Sequence, residues 1–141
     1  MLLPSEIEAR YTIPALRATA AHKLVTEHRM KQQEVGQLLG VTQAAVSNYI
    51  RGARSTRLGW EEDEQLRKVA DDLVSNLVVS RNQVETMVAF NETCRKIRYT
   101  RLLCDVHSPL EPDFSVERCD TCESLILDFH LEFVNAQGRL L

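Results

Sequence analysis

The sequence predicts an all-α protein, with a bundle of four short helices over residues 1–58 followed by a helical region over 59–141 that carries a cysteine-rich loop. Three observations predict it. Apolar residues recur at three- and four-residue spacing through most of the chain, as in helices that bury one stripe. Strand-like runs are missing. Cys104, Cys119 and Cys122 flank a loop marked by Pro109 and Pro112, where regular helix stops.

Pro4-Ser5-Glu6 opens a short first helix, and a second is predicted from Pro14 to His28, with Pro14 suited to its first turn. Its stripe is Leu16, Ala20, Leu24 and Val25. The stretch Gln32 to Arg51, QQEVGQLLGVTQAAVSNYIR, reads as two short helices crossing at a tight turn. Val35, Leu38 and Leu39 form one stripe, Val46 and Ile50 the other. Gly40 supplies the left-handed residue that ends the first of these helices, and Thr42 is the N-cap of the next. Gly36 falls where the two helices approach most closely, so a larger side chain there would push them apart.

This pattern is a helix-turn-helix, whose second helix places its N-terminal residues on base edges in the major groove while the first crosses the phosphates. The outward face of the second helix is Thr42, Gln43, Ala44, Ser47, Asn48 and Arg51. Gln and Asn can pair bidentately with adenine, and Ala can touch a thymine methyl. Gln32 and Gln33 stand where a phosphate would meet the first helix. Gly52 to Arg57 breaks the helical pattern, and Arg54 and Arg57 join Arg51 as candidate phosphate contacts.

VGQLLGVTQAAVSNYIRG resembles the helix-turn-helix of the phage-repressor and Cro superfamily (XRE type). The whole chain is similar to small archaeal transcriptional regulators that carry this domain first and a cysteine-bearing region after it. The resemblance implies a λ-repressor-like four-helix head. In that group a CxxC pair often stands where this chain has Asn91 and Cys94, so the number of ligands stays open.

Charge is divided along the chain. Residues 1–58 hold eight Lys or Arg against four Asp or Glu, whereas 59–141 hold nine against sixteen, so a basic front precedes an acidic rear within a net charge of -3. A front half that sits on phosphate and a rear half that senses or dimerises would show this asymmetry. No apolar run is long enough to span a bilayer, and Met1 to Pro4 lacks the features of a signal peptide. A cytoplasmic protein is expected.

In the rear half, the acidic run from Glu61 opens a helix with the stripe Leu66, Val69, Ala70, Leu73, Leu77 and Val78. Ser80 is the expected cap of a further helix, on which Val84, Met87 and Val88 continue the apolar face toward Cys94. Two such helices exceed what a small head needs, which points to a homodimer; the alternative packs them on Ile126, Phe129 and Phe133 of a last helix.

Cys119-Asp120-Thr121-Cys122 is a CxxC, and Cys104-Asp105-Val106-His107 has the same spacing with a histidine second. Folded together they give CxxH-x11-CxxC, a zinc-like set of Cys104, His107, Cys119 and Cys122. Cys94 supplies a fourth sulfur, and Cys94, Cys104, Cys119 and Cys122 suit an iron-sulfur cluster. Were 94–104 one helix, the first two sulfurs would stand roughly 15 Å apart, so that set requires a helix break near Arg98 to Arg101 or a site shared between subunits. Arg95, Lys96, Arg98 and Arg101 would favour thiolate.

The expected function is a homodimeric regulator that reads a near-palindromic double-stranded operator, with half-sites about one turn apart, roughly 34 Å. Its cysteines are expected to hold a cluster that senses redox state or iron, or alternatively a structural Zn2+. No catalytic residues are expected. A thiol-disulfide enzyme using Cys119 and Cys122 is the rival from another class, and it lacks the strands of a βαβ support.

Overall fold

The computed structural model describes residues 1–52 and 63–123, and among these the chain is all helix and turn, with no strand. Helix α1, Pro4–Ile7, runs through one wide π turn, Glu8–Thr12, into α2, Ile13–Thr26. The two predicted front helices are therefore one continuous run. Pro14 gives the reason: it has no N–H, and its ring would clash with the carbonyl four residues earlier, at Arg10, which lies inside the wider turn.

Next come α3, Gln32–Leu39, and α4, Gln43–Ile50, joined by a three-residue turn. Beyond residues 53–62 follow α5, Glu64–Val79, then α6, Gln83–Tyr99, then α7, Leu102–His107, and a 3₁₀ turn at Val116–Arg118. Asp63 caps α5 by accepting the Leu66 N–H at 2.9 Å. Asn82, not Ser80, caps α6, because its side-chain oxygen accepts both the Val84 and Glu85 N–H groups. Ser80 instead turns its hydroxyl back to the Asn76 carbonyl of α5.

Helix α2 lies at the centre and touches α3, α4 and α5, while α5 packs along α6. Ile7, Leu16, Leu24, Val35 and Val46 from the front meet Leu66, Leu73, Leu77, Ile97 and Leu103 in one apolar cluster. The boundary expected at residue 58 lies outside the described residues, and buried side chains from both sides of it share that cluster. Each such Leu, Ile or Val contributes about 1.5–3 kcal/mol when fully buried. The α5 stripe is buried as expected at Leu66, Val69, Ala70, Leu73 and Leu77, but Val78 is exposed and Val74 takes its place on the buried face.

Helix α6 differs from its expected face. It buries Thr86, Ala89, Thr93 and Ile97, and leaves Val84, Met87 and Val88 exposed on roughly the opposite side. The two threonines tolerate burial because their hydroxyls bond backbone carbonyls one turn earlier, at Asn82 and Ala89. The last helix predicted around Ile126, Phe129 and Phe133 lies outside the described residues. No described helix is long and apolar enough to cross a membrane.

Candidate nucleic-acid face and cysteine cavity

The α3–α4 corner is built from its backbone. Gly40 adopts φ 65°, and the N–H groups of Gly40 and Val41 both bond the Gly36 carbonyl. A Cβ added to Gly36 would stand 2.9 Å from the Val41 carbonyl oxygen, so the corner closes only because that position has no side chain. Thr42 Oγ1 accepts the Ala45 N–H at 3.1 Å, and Glu34 reaches back to the Lys31 N–H at 3.0 Å. These bonds satisfy free amides at both helix starts.

On the outward side Thr42, Gln43, Ala44 and Arg51 are exposed, Ser47 and Asn48 are half-buried, Gln33 is exposed and Gln32 half-buried. The Thr42 hydroxyl accepts the Ala45 N–H for its helix and keeps its own O–H free to donate. Arg51 Nη2 donates to Asn48 Oδ1 at 2.9 Å, which orients both side chains on one face of α4. Arg54 and Arg57 lie outside the described residues. An open groove of about 470 Å³ runs between Gln33, Gln37, Gln43 and Gln83, floored by Gly36. Gln37 and Gln83 were not in the expected set. Gln83 comes from α6 and donates to the Gln37 carbonyl at 2.9 Å, a contact across 46 positions that no local pattern announces.

The second site gathers three of the cysteines. Cys104, Cys119, Cys122 and His107 line one cavity of about 270 Å³, whose other walls include Leu2, Leu3, Pro4, Ile7 and Phe114. Helix α6 ends at Tyr99 and Arg101 turns the chain with φ 64°, so the break required between Cys94 and Cys104 is present. Cys94 nevertheless opens on a different groove, bounded by Ile13, Leu38, Met87 and Phe90.

Arginines brace the cavity. Arg101 donates to the carbonyls of Val116 and Cys119, at 2.7 and 3.0 Å, and to Glu123 at 3.0 Å. It thereby holds the segment that carries the CxxC. Arg98 forks onto both carboxylate oxygens of Glu8, which is buried in the π turn. The Glu111 carboxylate binds His107 Nε2 at 2.8 Å and the Leu2 N–H at 2.7 Å, and pairs with the Met1 amine at 2.8 Å. The amine, His107 and Leu2, in that order, hold the Glu111 carboxyl at about 2. The His107 ring stacks on Phe114 at 4.8 Å.

The four cysteines form no disulfide. Burial pushes the Cys104 and Cys122 thiols up and that of Cys94 up to about 11; Arg101 beside Cys104, and Arg98 beside Cys94 and Cys122, pull the other way. The raised Cys122 thiol is the opposite of the lowered pKa that a thiol-disulfide enzyme uses. Three thiols and an imidazole suit Zn2+, and an imidazole held through Nε2 by a carboxylate leaves Nδ1 as the ligating atom. Yet among the described residues no three His, Cys, Asp or Glu side chains stand close enough together to hold a metal ion. The cavity has suitable donors without coordination spacing.

Compared with known proteins, the chain matches no family model, no curated protein and no solved structure.

Proposed function

We propose that this protein is a sequence-specific regulator that binds double-stranded DNA through α3 and α4, arranged as a helix-turn-helix of the phage-repressor type. The observation that carries this reading is the corner itself. A glycine-closed crossing, a left-handed Gly40 and a Thr42 cap leave Gln43 and Ala44 exposed on the first turn of α4. In such a motif the first turn of the second helix meets base edges. Gln43 and Asn48 are the base-reading side chains, Ala44 supplies a methyl contact, and Gln33 and Arg51 meet phosphate.

The cysteine cavity is the proposed metal site. Because Cys94 faces another groove, the cavity favours a single Zn2+ on Cys104, His107, Cys119 and Cys122 over an iron-sulfur cluster that includes Cys94. Zinc there would clip the CxxC segment to α7, and loading would draw the donors closer than they now stand.

Selection from a randomised duplex pool tests the DNA reading. Enrichment of a two-fold related motif supports it; a pool that stays random after repeated rounds, with a folded protein, contradicts it. Metal analysis after anaerobic purification separates the metal readings, since a cluster absorbs broadly in the visible and zinc is colourless.

A further inference from the structure

A groove of about 480 Å³ is walled by α2, by the end of α3 and by α6. We propose that it is a binding site for a small amphiphilic carboxylate, a molecule with an apolar body and a single acid group. The site is separate from the cysteine cavity, which Cys104, His107, Cys119 and Cys122 line and Cys94 does not.

Its walls set the body of the ligand. Ile13 comes from α2, Leu38 and Leu39 from α3, and Val84, Met87 and Phe90 from α6. The volume falls within the ~300–1,000 Å³ of small-molecule sites, which pair mainly apolar walls with a few polar groups. Val84 and Met87 are 63% and 58% exposed, so an apolar body laid along α6 would take their surface out of water.

Arg17 sets the charge of the ligand. It stands one turn after Ile13 on α2 and is the one charged side chain on the groove wall among the described residues. Its guanidinium makes no ion pair or side-chain hydrogen bond with them, whereas Lys23 on the same helix is paired with both Glu27 and Asp71. A guanidinium presents two parallel N–H donors that match the two oxygens of a carboxylate. The Cys94 thiol, held up to about 11 by burial, adds no negative charge at neutral pH. One cation beside an apolar wall therefore suits one acid group.

The groove also reaches the α3–α4 corner. Leu38, Leu39 and the left-handed Gly40 line it, so a bound ligand would touch the residues from which α4 is aimed. That consequence for DNA rests on the proposed function; the binding itself does not.

Calorimetric titration of the full chain with decanoate, below its micelle concentration and without DNA, tests the proposal apart from the DNA reading. Decanoate is expected to bind with a Kd of ~100 µM or tighter, and decylamine at least ~10-fold more weakly. Arg17→Met keeps most of the apolar stem on an exposed position and is expected to weaken decanoate at least ~10-fold with unchanged helix content. A second readout is alkylation at about pH 9, followed cysteine by cysteine by mass spectrometry. Decanoate is expected to slow Cys94 at least ~5-fold and to leave Cys104, Cys119 and Cys122 unchanged. Absence of saturable binding, whether another part of the chain or a second copy fills the groove, overturns the proposal. So does equal affinity for decylamine, an unprotected Cys94, or an Arg17→Met variant that binds as the wild type does.

Discussion

At the α3–α4 corner, the bonds that fix the turn join residues three to five positions apart: Gly40 and Val41 to Gly36, and Ala45 to Thr42. Around the cysteine cavity the bonds span 15 and 18 positions from Arg101, 90 between Glu8 and Arg98, and 109 between Leu2 and Glu111. The first kind forms as soon as its helices form. The second kind exists only once distant stretches of chain have been brought together, and its bonds must offset that loop closure. A cavity built this way answers to the whole fold, and through Glu8 it is joined to the run that leads into α2.

The largest expected effect breaks the longest link. Arg98→Ala leaves the Glu8 carboxylate buried and unpaired, and is expected to cost about 3 kcal/mol or more in urea unfolding, because the price of breaking such a pair is the stranded charge. Gly36→Val comes next. The Val41 carbonyl at 2.9 Å from the new Cβ is backbone and can move only with the turn, so a loss of about 1–3 kcal/mol is expected. That loss should leave thiol reactivity in the cysteine cavity unchanged, and altered alkylation of Cys104 would show that the two regions are less separate than their bonds indicate.

Arg101→Met removes the guanidinium bonds to Val116, Cys119 and Glu123. It is expected to cost about 1–2 kcal/mol and to speed alkylation of Cys119, measured by mass spectrometry after timed labelling. Thr42→Ala should cost about 1 kcal/mol through loss of the cap, seen as a lower midpoint in thermal melting. The smallest change in stability, none, accompanies the last prediction. Cys94, raised to about 11 by burial, should alkylate on the order of 100-fold more slowly at pH 8 than in denaturant, with a rate that climbs as pH approaches 11.

This contrast also decides what the sequence discloses. Gly36, Gly40 and Thr42 are legible because each is required by its immediate neighbours, and the α5 stripe is legible because it is purely apolar. The buried face of α6 is not, since Thr86 and Thr93 count as polar until their hydroxyls are seen bonded within the helix. Ser80 and Asn82 are both good caps, and only the turn decides between them. The placing of Cys94 apart from Cys104, Cys119 and Cys122 depends on the left-handed turn at Arg101, a residue whose type gives no notice of that conformation. Gln83 reaches the α3 groove because α6 folds back over α3, which no spacing rule foretells.

The central claim is that α4 reads bases through its first turns, and the most direct test is the Gln43→Ala variant on a duplex selected by the wild type. Affinity for the selected and a scrambled duplex should be measured at several salt concentrations. The account predicts that the preference for the selected duplex falls by ~1 to 3 kcal/mol while the salt slope stays the same, because a base contact is lost and no phosphate contact is. An unchanged preference, or an equal loss on both duplexes with a flatter slope, would contradict it.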